Sequence, residues 1–345
     1  MKKAIVLILP IFFLAQSCNI LTSGLTGKGG SGSRGVFIST DNGQTWQESN
    51  ALTAGGSISG ANVNRLVVDR NDSKNLLAVT GNSGVYASND SGATWFQFLP
   101  NVSGHDAYLN PQNSQEIVVA GVSGSRPAIV KSIDGGGAWT QVYSHPVAEA
   151  AVTAIVYDQR NPAILYAGLS TGTIIKSIDG GLNWNILVTH KDRVVRLLLS
   201  ANGSTLYMLG RAQGLKKSND GGRTWTDLEL PEKTTEHNDL AFENPANANV
   251  LYLAASTGLY KTTDGGGRWS KLSIPATPSV TQVSAVTVSG ANNSQVFAAV
   301  RSTIYRSDDG GASWRTQSLP TNRVVSGIII DPQEPSRVYA GLKEP

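Results

Sequence analysis

The sequence has little charge and almost no cysteine. Only 15% of its 345 residues are Asp, Glu, Lys or Arg, and Cys18 is the single cysteine, so no disulfide can form within the chain. The net charge is +3, and Lys2 and Lys3 supply most of that excess. This balance argues against a nucleic-acid-binding protein, which would carry a strongly basic surface. With 40% hydrophobic residues, the chain is also too apolar for a disordered protein.

Long apolar runs are scarce as well, and the clearest one stands at the start of the sequence. The run Ala4–Ala15 follows two lysines, contains Pro10 and falls well short of the roughly 20 residues that cross a bilayer. Basic residues, a short apolar run and a small-residue junction at Ser17–Cys18 are typical of a secretory signal peptide. The segment resembles the bacterial lipoprotein signal, in which the cysteine is lipidated and becomes the mature N-terminus.

That resemblance implies the domain organisation and the location of the protein. We expect residues 1–17 to be removed, Cys18 to carry the lipid, residues 18–33 to form a flexible tether rich in Gly and Ser, and residues 34–345 to fold. The alternative is a free cysteine, whose exposed thiol would oxidise outside the cytoplasm. The prediction is an exported protein, lipid-anchored to the bacterial cell envelope on a periplasmic or outer-membrane face.

Internal repetition is the dominant feature that the sequence does have. Seven octapeptides of the type SIDGGLNW recur at spacings of 41 to 49 residues, and they end in the seven tryptophans of the protein. Such a period is typical of the blades of a β-propeller. The octapeptides occupy residues 39–46, 88–95, 132–139, 177–184, 218–225, 262–269 and 307–314.

The composition of the octapeptide predicts a tight turn between two strands. Its aspartate can accept hydrogen bonds from backbone N–H groups of the turn, the glycine two residues later allows a positive φ, and the tryptophan supplies a large apolar surface. We expect no metal here, because each octapeptide lacks the full set of calcium ligands. The paired residues are Asp41 and Trp46, Asp90 and Trp95, Asp134 and Trp139, Asp179 and Trp184, Asp220 and Trp225, Asp264 and Trp269, and Asp309 and Trp314.

These octapeptides resemble the Asp-box, or BNR repeat, and the segments between them predict the remaining strands. Each segment shows two stretches of alternating apolar residues around an Asn, Pro or Asp turn, which indicates a β-hairpin. Residues 34–50 hold only a third and a fourth strand, whereas residues 327–342 hold only a first and a second. We therefore predict an all-β, seven-bladed β-propeller of four-stranded antiparallel blades, closed by pairing of its N-terminal strands with its C-terminal strands.

The candidate binding residues lie in the connections on the ring face opposite the octapeptides, which we call the mouth face. All four histidines fall in fourth-to-first-strand connections, and several arginines fall in second-to-third-strand connections that share this face. Loops are polar in any protein, so each of these residues could equally be solvated surface. The candidates are His105, Asp106, Arg126, His145, His190, Asp192, Arg193, Arg211, Glu236, His237, Asp239, Arg301 and Arg323.

Three functions remain open at this stage. The favoured one is a non-catalytic, monomeric binding propeller whose mouth takes a protein or a carbohydrate, without metal or cofactor. A glycoside hydrolase needs two carboxyl groups roughly 5 to 10 Å apart, and the mouth could draw such a pair from Asp106, Asp192, Glu232, Glu236 and Asp239. The third is an assembly factor similar to the lipidated Asp-box propellers that assist photosystem II.

The wider resemblances bear on the enzyme alternative. The repeats look like those of xyloglucanase-type glycoside hydrolases and of sortilin-type receptors. The former place two catalytic aspartates in a cleft between two propellers, whereas this sequence supplies one ring. Sialidases, which are also Asp-box proteins, have a Phe/Tyr-Arg-Ile-Pro motif that is absent here. The resemblance therefore implies the fold strongly and leaves the activity open.

Overall fold

The computed structural model describes residues 32–146, 148, 150–230, 234–276 and 281–345. The expected signal peptide, Cys18 and nearly all of the tether lie outside these residues. All regular structure in the described part is β-strand. Accordingly, it holds no helix that could cross a membrane.

The strands form seven four-stranded antiparallel sheets, which we number as blades. They are β1 (Gly35–Ser39) and β2 (Gln47–Glu48) in blade 7; β3 (Val63–Val68), β4 (Leu76–Thr80), β5 (Val85–Ser88) and β6 (Phe96–Leu99) in blade 1; β7 (Val102–Asn110), β8 (Asn113–Ser123), β9 (Arg126–Ser132) and β10 (Thr140–Ser144) in blade 2; β11 (Val152–Tyr157), β12 (Leu165–Leu169), β13 (Thr173–Ser177) and β14 (Asn185–Thr189) in blade 3; β15 (Val194–Leu199), β16 (Leu206–Gly210), β17 (Leu215–Ser218) and β18 (Thr226–Leu228) in blade 4; β19 (His237–Asn244), β20 (Asn247–Ala255), β21 (Gly258–Thr262) and β22 (Ser270–Leu272) in blade 5; β23 (Ala285–Val288), β24 (Val296–Val300), β25 (Thr303–Ser307) and β26 (Arg315–Ser318) in blade 6; and β27 (Val324–Ile330) and β28 (Val338–Lys343), again in blade 7.

Blade 7 combines both ends of the described chain, as the sequence predicts. Its strand order is β27, β28, β1 and β2, so β28 lies between β27 and β1 and pairs with both. The register sets Phe37 opposite Ala340 and Ile38 opposite Tyr339, and all four residues are buried. The first strands of successive blades lie side by side around the whole ring, with β27 against β3. The seven-bladed ring and its mode of closure are confirmed.

The hydrophobic core lies between neighbouring blades. One cluster packs Phe37 of blade 7 against Phe297 and Ile304 of blade 6, and the other clusters also combine two adjacent blades. The second strand of each blade carries a continuous apolar run that is buried on both faces, as in the fully buried stretch Leu206–Gly210. Outer strands such as Arg315–Ser318 are exposed. Each blade thus depends on its neighbours for burial of its apolar faces.

The Asp-boxes form the predicted turns between third and fourth strands. In blade 3, one carboxylate oxygen of Asp179 accepts the N–H of Asn183 at 2.9 Å and the hydroxyl of Ser177 at 2.7 Å. These donors, with the N–H of Asn183 the largest influence, lower the pKa of Asp179 to about 2. Gly181 has a φ of 89°, and the N–H of Gly180 donates to the carbonyl of Ala163. That bond fastens the box to the first-to-second-strand turn, on the face opposite the mouth.

The box tryptophans differ in their hydrogen bonds. The indole N–H of Trp184 donates to the carbonyl of Gly181 inside its own box, and Trp46 and Trp225 behave in the same way. Trp95 instead donates to the carbonyl of Ser49 at 2.8 Å and is fully buried. Trp95 therefore binds the segment that joins blade 7 to blade 1.

Candidate functional site

A central cavity opens on the mouth face of the ring. Its volume is about 1180 Å³, and its walls include residues from the first strands of the blades together with mouth-face connections. Cavities of this size hold small ligands or several residues of a peptide. The first strands converge at the ring axis, so the cavity collects side chains that are far apart in the sequence.

The structure brings seven of the thirteen candidate residues together in the wall of this cavity. These are His105, Asp106, Arg193, Arg211, Glu236, Asp239 and Arg301. The other six lie outside its wall, and these are Arg126, His145, His190, Asp192, His237 and Arg323. Ligand binding by any of the thirteen residues stays a prediction.

Three of the residues outside the cavity wall have partners within the blades. Asp192 accepts the N–H groups of Ala212 and Gln213 with one carboxylate oxygen, so it caps the second-to-third-strand turn of blade 4. His237 is almost fully buried, with one ring nitrogen 3.1 Å from the carbonyl oxygen of Gly210. The ring of His190 lies edge-on to Trp225. Burial lowers the pKa of both histidines, which favours their neutral form.

The remaining three make contacts outside the cavity wall or next to it. Arg126 is exposed at the start of β9, and the backbone N–H of His145 donates to the carbonyl of Pro127. The guanidinium of Arg323 donates to the carbonyl of Gly32 at 3.1 Å and lies 3.8 Å from the carboxylate of Glu344. Arg323 therefore connects two ends of the described chain.

The rim of the cavity is basic. Arg193, Arg211 and Lys343 lie close enough together that burial, followed by the charges of Arg211 and Arg193, lowers the pKa of Lys343. Burial also lowers the pKa of His105 to about 4, and Arg193 and Lys343 act in the same direction. Glu236 offsets part of this charge through an ion pair of 2.9 Å with Arg211. A negatively charged ligand would relieve the repulsion among these cations.

Deeper in the cavity, two arginines and two aspartates occupy equivalent positions in different blades. In most first strands the register shifts by one residue against the second strand, and the residue just after that shift is Arg65 in blade 1, Asp106 in blade 2, Arg196 in blade 4 and Asp239 in blade 5. The arginine Nε lies 3.4 Å from the aspartate Oδ1 both between Arg65 and Asp106 and between Arg196 and Asp239. We call these four residues the axial cluster.

The two aspartates of the axial cluster join neighbouring blades. Asp106 accepts the N–H of Ala107 with one oxygen and the N–H of Ile155, on the first strand of blade 3, with the other. Asp239 does the same with its own following residue and with Val286 of blade 6. Each carboxylate thus supplies a buried backbone N–H of the next blade with an acceptor, which is a role in stability.

The carboxyl groups considered for hydrolysis are therefore engaged in the fold. Asp106 and Asp239 bind backbone N–H groups across blades, Asp192 caps a turn, and Glu236 pairs with an arginine. Glu232 lies outside the described residues. Among the residues that are described, no group of three or more His, Cys, Asp or Glu side chains could hold a metal ion.

Sequence reasoning missed Arg65, Arg196 and Lys343, which all line the cavity. The sequence candidates come from predicted connections, whereas these three residues belong to strands β3, β15 and β28. The structure also corrects the predicted connections, since His105 and Asp106 lie in β7 and Asp239 lies in β19. Aligning the first strands of the seven repeats could have found the arginines, because Arg65 and Arg196 stand three residues before the last residue of Val63–Val68 and of Val194–Leu199 alike. The register shift that turns them toward the axis has no comparable signal.

Comparison with known proteins agrees with this fold. The model of the family described as photosynthesis system II assembly factor YCF48 matches residues 149–284 and 195–333, which together cover more than half of the chain. The BNR/Asp-box repeat model matches residues 37–48. No curated protein matches the sequence.

Solved structures show the same ring at low sequence identity. The GH74 xyloglucanase from Xanthomonas campestris superposes with a TM-score of 0.70 at 16% identity, over 82% of this chain and 51% of that one, so the present chain spans about half of its length. YCF48 from Cyanidioschyzon merolae gives 0.65 at 17% identity, over 81% and 95% of the two chains. YCF48 bound to D1 peptide gives 0.63 at 16%, over 82% and 94%. These likenesses establish the fold alone.

Proposed function

Because the chain belongs to the family described as photosynthesis system II assembly factor YCF48, we propose that it is a non-catalytic binding propeller that holds a segment of another protein in its central cavity. The basic rim carries this proposal. Arg193, Arg211 and Lys343 are held together although their charges repel. A partner segment with acidic character would supply the missing negative charge.

The size and the walls of the cavity support a peptide. A volume of about 1180 Å³ accommodates an extended segment of several residues. The mouth-face connections also provide side chains with both donors and acceptors, among them Gln282 and Asn322. Such groups suit the alternating N–H and C=O groups of a peptide backbone. One member of the family has been solved with a D1 peptide, which makes a protein ligand the natural first candidate.

The glycoside hydrolase alternative receives less support. Asp106 and Asp239 already accept backbone N–H groups from two blades, and moving either carboxylate toward a substrate would leave buried donors unpaired. The structural similarity to the xyloglucanase concerns the ring, and this chain covers about half of that enzyme. Incubation with xyloglucan, followed by measurement of reducing ends, tests this alternative directly, and release of product above the level of a boiled control would contradict a non-catalytic role.

Photo-crosslinking tests the binding proposal. A photoreactive amino acid placed at Gln282, in the cavity wall, should give a specific protein adduct in the cell envelope. The same group at Gln112, on the opposite face, is the matched control. Replacing Arg193 and Arg211 with glutamine should remove the adduct at Gln282. Adducts of equal yield at both positions, or an adduct insensitive to the two substitutions, would contradict the proposal.

We also propose that the protein is exported and lipid-anchored through Cys18. The basic, apolar and small-residue pattern of residues 1–18 supports this location. Radiolabelled palmitate should enter the wild-type protein and be absent from a Cys18→Ser variant. Equal labelling of both proteins, or none in either, would contradict lipidation at this cysteine.

A further inference from the structure

We propose that Arg65 and Arg196 form a carboxylate-binding site deep in the central cavity, which receives the anionic group of a ligand that enters along the ring axis. This inference rests on the proposed binding function, and it assigns a chemical class to the ligand group that reaches farthest into the ring. The proposed site belongs to the axial cluster and is separate from the rim formed by Arg193, Arg211 and Lys343.

The first observation is the position of the two arginines. Arg65 pairs with Val79 and Arg196 pairs with Leu209 directly after the same shift of register, so the two side chains leave the first strands of blades 1 and 4 at the same level. Those blades are three positions apart in a ring of seven and are therefore almost opposite each other across the axis. Both arginines line the same cavity.

The second observation concerns the hydrogen bonding of the two guanidinium groups. Each Nε is buried beside its aspartate and makes no hydrogen bond, and the terminal N–H groups have no hydrogen-bond acceptor within the described residues, although both side chains line the cavity. The neighbouring aspartates, at 3.4 Å, neutralise charge but direct their oxygens at backbone N–H groups of two blades. The exposed parts of the two guanidinium groups thus offer charged N–H donors to the cavity. An acceptor that enters the cavity would pair with these donors.

Electrostatics agree with this reading. Burial, and next the charge of Arg196, lower the pKa of Arg65 to about 10 despite the opposing influence of Asp106 and Asp239. The two guanidinium groups therefore repel each other inside the cavity. The side chains stay reachable from solvent, with 27% of Arg65 and 16% of Arg196 exposed. An anion placed between them would replace repulsion with two attractions.

The chemistry of guanidinium suits a carboxylate. Its planar fork of N–H donors matches the two oxygens of a carboxylate and binds them in pairs. The position of the two arginines near the ring axis also favours one direction of approach for the carboxylate. An extended chain that enters the mouth end-on brings its terminal carboxylate to the deepest point, whereas an acidic side chain would require the backbone to bend into the cavity. A small organic acid could reach the same point.

Solution NMR with defined probes tests the site. The probes are penta-alanine with a free C-terminal carboxylate, the same peptide with an amidated C-terminus, and acetate. The readout is the Nε–H signals of Arg65 and Arg196 in the purified protein, assigned through single Arg→Lys variants. We expect the free-acid peptide to shift both signals and to bind at least ten times more tightly than the amide, since one lost charged hydrogen bond of about 1.5–3 kcal/mol corresponds to ten-fold or more.

Substitutions provide the matched comparison. Arg65→Gln and Arg196→Gln should each weaken the free-acid peptide about ten-fold or more, whereas Arg160→Gln, on the opposite face, should leave its affinity unchanged. Where a glutamine variant folds poorly, Arg65→Lys keeps the charge, loses the paired geometry and should still weaken binding. The shifts in the wild-type protein need no variant at all.

Each outcome decides the proposal. Acetate that binds as tightly as the free-acid peptide would identify a small organic acid as the source of the carboxylate and still support the site. Chemical-shift changes confined to the signals of Arg193 and Arg211 would overturn the proposal. Equal affinities of the free-acid and amidated peptides would overturn it as well. The proposed function would survive that result as long as the adduct at Gln282 is present. Conversely, loss of that adduct with intact binding of the free-acid peptide would refute the function and keep the site.

Discussion

Replacing Asp106 with alanine should destabilise the ring severely, although this residue looked like a binding or catalytic group in the sequence. The carboxylate accepts the backbone N–H groups of Ala107 and Ile155 and faces Arg65. Its removal leaves two buried donors unpaired, at about 1–3 kcal/mol each. It also leaves a buried cation without its counter-ion, for which losses of about 3–5 kcal/mol are typical. Because solvent in the cavity can reach Arg65, we expect a total of about 3–5 kcal/mol.

Urea denaturation followed by circular dichroism measures this loss. The matched control is Asp227→Ala, which removes an exposed aspartate paired with Lys216 and should change the free energy of unfolding by less than about 1 kcal/mol. Asp106→Asn keeps one acceptor oxygen and should lie between the two. A loss below about 1 kcal/mol for Asp106→Ala, with the m-value unchanged, would refute a structural role for this carboxylate and return it to the candidate ligand-binding groups.

Three further predictions concern the tryptophans, a histidine and the closing strand. Trp95→Ala should lower the free energy of unfolding by about 3–5 kcal/mol, and Trp225→Ala should lower it by clearly less. Of these two residues, only Trp95 is fully buried and donates a hydrogen bond to the segment that joins blade 7 to blade 1. Equal losses of the two variants in urea denaturation would contradict this prediction. Burial holds the pKa of His105 at about 4, below the usual 6.5, so the unfolded chain binds more protons than the folded protein between these values. The free energy of unfolding should therefore fall as the pH is lowered from 6.5 to 4. The decline should be shallower in His105→Gln, and an NMR titration that puts the pKa of His105 near 6.5 would contradict the prediction. Deletion of Val338–Lys343 should abolish cooperative thermal unfolding because β28 joins β27 to β1, whereas a retained sharp transition would show that the ring does not need its closing blade.

The sequence alone determined the architecture, since the information for it is local and repeated. Each octapeptide contains the aspartate and the glycines that build its own turn, and the bonds of Asp179 in the structure are to residues within four positions. Alternating apolar residues then determine the strands between the boxes. The number of blades follows from counting repeats. Even the composite blade could be predicted, because residues 34–50 and 327–342 each contain the half that the other lacks.

Only the tertiary structure decided which polar residues reach the axis. Asp192 and Glu236 are equally polar loop residues in the sequence, yet one caps a turn and the other lines the cavity. No sequence pattern pairs Arg65 with Arg196, because 130 intervening residues and three blades separate them in the chain. Their common level depends on a shift of register in each first strand, and their proximity depends on closure of the ring. Both are properties of the assembled blades, so no local pattern of residues encodes them.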